Sequence, residues 1–121
     1  MYVYSQSTGA MWNAAGGLLG VGYSGHGEGK NNPAMEQVEG VGPIPEGLYS
    51  IGPAIEGSHL GPLALPLIPA KDTRTFGRKG FFIHGDDIAD PGCGSHGCIC
   101  IFEPARKYIN DGSEKLLYVQ A

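Results

Sequence analysis

Long uninterrupted segments are scarce in this sequence. Glycine and proline occupy 21 and 9 of its 121 positions, and the longest stretch free of both, Ser113 to Ala121, is nine residues. That excludes helical bundles, coiled coils and a membrane-spanning helix, which needs roughly 20 apolar residues. Positive charge is scarce as well. Eight Lys and Arg stand against twelve Asp and Glu, the formal net charge is −4, and no basic run is longer than Arg106-Lys107. Nucleic acid is not expected as a partner, because neutralising phosphates takes a clustered basic face. Met1-Tyr2-Val3-Tyr4-Ser5-Gln6 has neither the positive n-region nor the apolar h-region of a signal peptide, so synthesis in the cytoplasm is expected. Cysteine is confined to Cys93, Cys98 and Cys100. An odd number cannot form a complete disulfide framework, so at least one thiol stays free, pairs between chains or binds a metal.

What is present suffices for a core. Leu, Ile, Val and Phe fill about a fifth of the chain and the net charge is small, so collapse is favoured over disorder. The length suits a single domain spanning 1–121. Tyr2-Val3-Tyr4, Met11-Trp12 and Leu18 to Tyr23, separated by glycine-bearing breaks, predict three short antiparallel strands. Ser24 to Gly42 reads as a long surface loop, a common place for function in small domains. Leu48 to Ile51 and Phe81 to His84 read as strands. Pro62, Pro66 and Pro69 limit residues 57–69 to an edge strand or extended segment. Cys98 to Phe102 reads as a buried strand or a first helical turn. Pro104 to Asp111 predicts a short helix with Gly112 at its C′ position, and Leu116 to Val119 a strand that closes the sheet. The expected fold is mainly β, a small sandwich or barrel with long loops and one short helix near the C-terminus.

The chemistry is concentrated in Phe82-Ile83-His84-Gly85 and Ser95-His96-Gly97-Cys98. A thiol becomes a nucleophile near neutral pH when an imidazole takes its proton and donors stabilise the thiolate, since an isolated Cys has a pKa of about 8.5. His84, at the end of an apolar strand, is the expected base and Cys98 the expected nucleophile. The N–H groups of His96, Gly97 and Cys98 are expected to converge on the carbonyl under attack. The outline is that of an acyl-transfer site.

These motifs resemble the active-site signature of YkuD-like L,D-transpeptidases, the cysteine enzymes that remodel bacterial peptidoglycan. They are more similar still to the type VI secretion L,D-transpeptidase effectors. Tyr4 to Gly9, Gly22 to Gly25, Gly29 to Pro33, Gly42 to Gly47, Phe82 to Gly85 and Ser95 to Ile99 carry the likeness over nearly the whole chain. The resemblance implies a thioester on Cys98, formed on the stem tetrapeptide with loss of its terminal D-alanine. Water would then resolve it (L,D-carboxypeptidase), or a D-amino acid or second stem would (exchange or cross-linking). It also implies that the Gly85 carbonyl orients His84, that Ser95, His96 and Gly97 shape the pocket, and that no cofactor is needed. The partners it implies are peptidoglycan stem peptides, a type VI apparatus delivering the protein to the periplasm of a target cell, and a periplasmic immunity protein. Cys100 stands where the general signature has Asn or Arg, and the interval from His84 to Cys98 is short, departures that bear on cross-linking more than on acyl-enzyme formation.

Lys30, Asn31 and Asn32 are either turn formers or substrate contacts. Tyr23, Arg78 and Asp86 complete the expected substrate-contacting set. Cys93 and Cys100 are expected to be structural, with a disulfide to Cys93 open after export, and His26 and His59 to be solvent-exposed. The competing readings are a zinc module on Cys93, His96, Cys98 and Cys100, whose spacing does not match the usual paired knuckles, and a non-enzymatic envelope-binding domain.

Overall fold

The computed structural model describes residues 1–56, 60–87, 89, 92 and 94–121. Nine strands form one sheet: β1 (Tyr2–Ser5), β2 (Ala10–Trp12), β3 (Leu18–Val21), β4 (Tyr23–Ser24), β5 (Gly47–Ile51), β6 (Leu65–Pro69), β7 (Phe81–His84), β8 (Ile99–Cys100) and β9 (Leu116–Gln120). The spatial order is β3-β2-β1-β9-β5-β6-β7-β8-β4. Its outermost members, β3 and β4, are consecutive in the chain on either side of Gly22, so one bent strand pairs with β2 at one end and β8 at the other and nearly closes a barrel. A period of two builds the interior: Tyr2 and Tyr4, Phe81 and Ile83, Leu117 and Val119 all point into one apolar core, together with Tyr49, Leu65 and Ile99. The expected mainly β architecture with one C-terminal helix is the one observed.

Three details depart from the sequence reading. β6 is an interior strand, between β5 and β7, although it contains Pro66 and Pro69. Proline loses only its donor, and the Pro66 carbonyl still accepts from Gly52 N at 2.8 Å. Pro69 lies beyond the stretch of β6 that pairs with β7, Leu65 to Leu67. β9 does not close the sheet but sits inside it, parallel to β1 and antiparallel to β5. Helix α1 (Glu103–Asp111) ends at Gly112 in an extended conformation (φ −80°, ψ 164°), not in the left-handed one expected of a C′ glycine. The loop after β4 contains two 3-10 turns, Gly27–Gly29 and Pro33–Met35.

Closure depends on two backbones meeting without side chains. A Cβ on Gly22 would lie 1.9 Å from the Cys100 carbonyl oxygen, and one on Gly9 would lie 1.9 Å from the carbonyl oxygen of Gly22. Gly22 N in turn donates to Gly9 O at 2.8 Å. Gly22→Ala must therefore push β8 away from the β3–β4 bend. It should destabilise the fold by about 2 kcal/mol or more, measured by urea unfolding; a change within 0.5 kcal/mol would show that the bend can move freely, where that threshold is roughly the scatter of neutral surface substitutions.

Candidate functional site

β7 and β8 run parallel, with Ile83 opposite Ile99 and His84 opposite Cys100. Parallel neighbours cannot be joined by a tight hairpin, and residues 85–98 make the crossover. Ile83 and Ile99 are core residues, so the alternation sends Phe82, His84, Cys98 and Cys100 to the opposite face. There Phe82, His84 and Cys98 line a cleft of about 900 Å3, together with Gly80, Gly85 and His96.

The His84 ring is anchored. Its Nδ1 lies 2.7 Å from the Gly85 carbonyl oxygen, an acceptor only, so Nδ1 carries the proton and Nε2 is the basic nitrogen of the neutral ring. Cys98 is half-buried, and its thiol approaches the Gly80 carbonyl at 3.6 Å. Burial pushes the Cys98 thiol up, while the Phe82 N–H and the Arg78 charge pull it the other way; the net direction is upward. Cys100 is fully buried, 3.9 Å from His84 Nδ1, and burial raises its pKa to about 12.

The turn into Cys98 is tied from inside. Ser95, with no exposed surface, accepts from Gly25 N (2.9 Å) and Gly97 N (3.1 Å) and donates to the Cys98 carbonyl. Ser24, equally buried, accepts from Ile44 N at 2.8 Å and reaches the Gly97 carbonyl at 3.5 Å. The N–H of Gly97 is thus directed inward to Ser95. Gly97 is thereby removed from the expected trio of converging donors.

A second network organises the crossover. Asp86 accepts from the Tyr23 hydroxyl, Asp87 N (2.8 Å) and Gly92 N (3.0 and 3.1 Å), and the Tyr23 oxygen accepts from Gly94 N at 2.7 Å. Although partial burial raises the Asp86 pKa, the Tyr23 hydroxyl and the backbone donors outweigh it and hold the carboxyl below its ordinary value. Burial, then the bond to Asp86, push the Tyr23 phenol upward, so it remains a donor.

Several expected substrate contacts prove to have structural partners. Asn31 sits at φ 54°, with its side chain accepting from Ser24 N, and Asn32 caps the second 3-10 turn through Ala34 N, so both are turn formers. Arg78 is 5% exposed and does not line the cleft; its guanidinium donates to the carbonyls of Glu36, Gly42 and Pro43. Tyr23 bonds to Asp86 rather than pointing to an open subsite, and the Lys30 ammonium lies 4.6 Å from the centre of the Tyr23 ring. Asp86 does line the cleft. His96 offers more than an N–H: its exposed ring lines the cleft and meets His26 edge-on at 5.0 Å. His26 is half-buried rather than exposed, with its Nδ1 enclosed. Cys93 and His59 lie outside the described residues. Among the described residues no group of three or more His, Cys, Asp or Glu is placed to share a metal ion, and no helix is long and apolar enough to cross a membrane.

Sequence reasoning missed contributions made by the backbone, Gly80 O and Phe82 N at the thiol, which leave no side-chain signal. It also missed Arg106. This residue is buried on α1 beside Ala105 and Ile109, and it donates to the carbonyls of Ile101, Leu63 and Pro62. A cation on the apolar face of a predicted helix was the available clue.

The fold is that of L,D-transpeptidases: a crystal structure of a cysteine-to-serine mutant of Enterococcus faecium L,D-transpeptidase superposes with a TM-score of 0.61 at 18% identity, over 98% of this chain and 48% of that one. The chain thus spans about half the length of that neighbour. No curated protein matches the sequence. Residues 20–118 match the Tlde1 domain, and the chain belongs to that family, the type VI secretion L,D-transpeptidase effectors.

The Asp86 network carries a pH signature. A carboxyl held below its unfolded value contributes stability above about pH 4 and loses it as pH falls through the lower folded value. The drop in Tm between pH 6 and pH 3 should therefore be smaller in Asp86→Asn than in the wild type, and equal drops would show that the network does not favour the carboxylate.

Proposed function

We propose that residues 1–121 form a catalytic domain acting on peptidoglycan as a cysteine L,D-carboxypeptidase or L,D-transpeptidase, with Cys98 as nucleophile and His84 as general base and acid. One observation carries the reading: His84 at the end of β7 and Cys98 just before the parallel β8 line one cleft, and the His84 tautomer leaves Nε2 basic. Membership of the Tlde1 family supports the substrate class.

In this mechanism the stem tetrapeptide lies in the cleft. His84 Nε2 takes the Cys98 proton while Sγ attacks the carbonyl of the third residue, and the tetrahedral oxyanion meets the N–H groups of His96 and Cys98. Collapse breaks the peptide bond, and the imidazolium protonates the departing D-alanine amine. Water, activated by the now neutral His84, hydrolyses the thioester to a tripeptide; a D-amino acid in its place gives exchange. Because burial raises the thiol pKa, the resting group is the thiol, and a base is required at the moment of attack rather than a standing thiolate. Ser95 and Gly97 keep the nucleophile turn in place, and Gly85 keeps the imidazole in one tautomer. No cofactor enters the scheme.

Mass spectrometry of peptidoglycan fragments tests the reading. The wild type should remove one D-alanine from tetrapeptide stems. Cys98→Ala and His84→Ala should each lose activity by at least about 1,000-fold with the fold retained, and the double variant should be little worse than either, since groups acting as a unit are not additive. Wild-type turnover in Cys98→Ala would sink the mechanism. Prolonged chelation should leave activity unchanged, whereas loss of a stoichiometric metal together with the fold would favour the zinc module.

The proposed site of action is the periplasm of a target bacterium, reached through a type VI apparatus, with a cognate periplasmic immunity protein protecting the producer. Directed to the periplasm of a Gram-negative host by an added signal, the chain should cause swelling or lysis that depends on Cys98, and cytoplasmic expression should be harmless. Equal toxicity from the cytoplasm, or toxicity surviving Cys98→Ala, would exclude peptidoglycan as the target.

A further inference from the structure

A buried cation lies beneath the nucleophile turn. Arg78 donates to Glu36 O, to Pro43 O at 2.8 Å and to Gly42 O at 3.0 Å, and its guanidinium carbon lies 5.7 Å from the centre of the Phe81 ring. Carbonyls satisfy its N–H groups but do not neutralise its charge. Among the described residues no carboxylate makes an ion pair with it within 4.0 Å. The same group defines Gly97: a Cβ there, at φ +133°, would lie 2.2 Å from Arg78 Nη2. The guanidinium occupies the space where any other residue at 97 would place its side chain, directly before Cys98. A buried, unneutralised cation is costly, and it is held here by three carbonyls of the loop before β5, with its Nη2 packed against Gly97 in the turn before β8.

We propose that Arg78 is a positioning residue that fixes the Gly97–Cys98 turn and supplies the standing positive charge that offsets a Cys98 thiolate. The inference rests on Cys98 being the nucleophile. When the Cys98 proton passes to His84 Nε2, the sulfur is left with the Phe82 N–H and the Arg78 field, both of which favour the anion against burial. The other titratable groups around Cys98 are His84 and Cys100 on the strand pair and His96, Asp86 and Asp87 along the cleft. Arg78 itself is faced by Tyr49, Glu39 and Glu36, which, like Cys98, favour its charged form against burial.

The test is the rate of Cys98 alkylation by iodoacetamide between pH 6 and 10, read on the Cys98 peptide by mass spectrometry, for the wild type, Arg78→Lys and Arg78→Met. The assay needs no peptidoglycan, so a wrong substrate and a wrong role for Arg78 give different results. Loss of the charge in Arg78→Met should raise the midpoint by about one pH unit and slow labelling at pH 7 about tenfold; Arg78→Lys should shift it less. An unchanged midpoint in folded Arg78→Met overturns the proposal. A second measurement covers failure of that variant to fold. In the Arg78 background, Cys98→Asp and Cys98→Asn differ only in charge at position 98, and at pH 7 the Asp variant should melt no lower than the Asn variant. A lower Tm for Cys98→Asp would show that no compensating cation serves this position.

Discussion

The parallel pairing of β7 with β8 is the constraint from which the site follows. Once Ile83 faces Ile99 in the core, the period of two leaves His84, Cys98 and Cys100 no choice of side. A slip of one residue would turn His84 and Cys100 into the barrel and Ile99 out of it, so the apolar core and the placement of the candidate site residues are one decision. Parallel pairing also demands a crossover, and that crossover forms a wall of the cleft. The Asp86–Tyr23 network keeps it near the sheet by joining Asp86, Gly92 and Gly94 to β4, the strand on the far side of β8.

A domain so rich in glycine has many backbone groups that no strand satisfies, and two arginines meet much of that need near the site. Arg78 gathers carbonyls from the loop before β5, and Arg106 gathers those of Pro62, Leu63 and Ile101. Each stands against a glycine that adjoins a site residue. Arg78 fills the side-chain space of Gly97, and a Cβ on Gly85 would come 3.1 Å from Arg106 Nη1. The glycines on which His84 and Cys98 depend are therefore shaped from behind by buried cations. Ser95 and Ser24 complete the support with hydroxyls, which can accept an N–H and donate to a carbonyl together.

The strands with clean alternation were legible in the sequence: Tyr2 to Tyr4, Phe81 to His84 and Leu116 to Val119 each show core residues at every second position. The prolines of β6 misled because a proline in a strand reads as a lost ladder bond, whereas the losses fall where its neighbours end. His84, Ser95 and Cys98 stand out as candidates in the sequence because side-chain chemistry at fixed spacing survives in one dimension, and the structure brings His84 and Cys98 to one cleft. Arg78 and Asn31 were not, since whether a polar side chain meets substrate or backbone depends on which loop packs against it. Arg78 makes its contacts 35 to 42 residues away. The inward turn of the Gly97 N–H belongs to the same class, a backbone orientation fixed by the Ser95 side chain.

The same register explains how one imidazole distinguishes two thiols on one strand face. Cys100 lies directly opposite His84 and near Nδ1, the nitrogen already donating to the Gly85 carbonyl. A protonated nitrogen cannot accept a second proton, and with its pKa pushed up to about 12, Cys100 remains a neutral, buried filler. Cys98, two residues earlier, lines the same cleft as His84. Were the tautomer reversed, Nδ1 would present a lone pair to the Gly85 carbonyl, and the basic nitrogen would be the one nearest Cys100. In the proposed mechanism the Gly85 carbonyl thus selects, through a single proton, which of the two cysteines is activated.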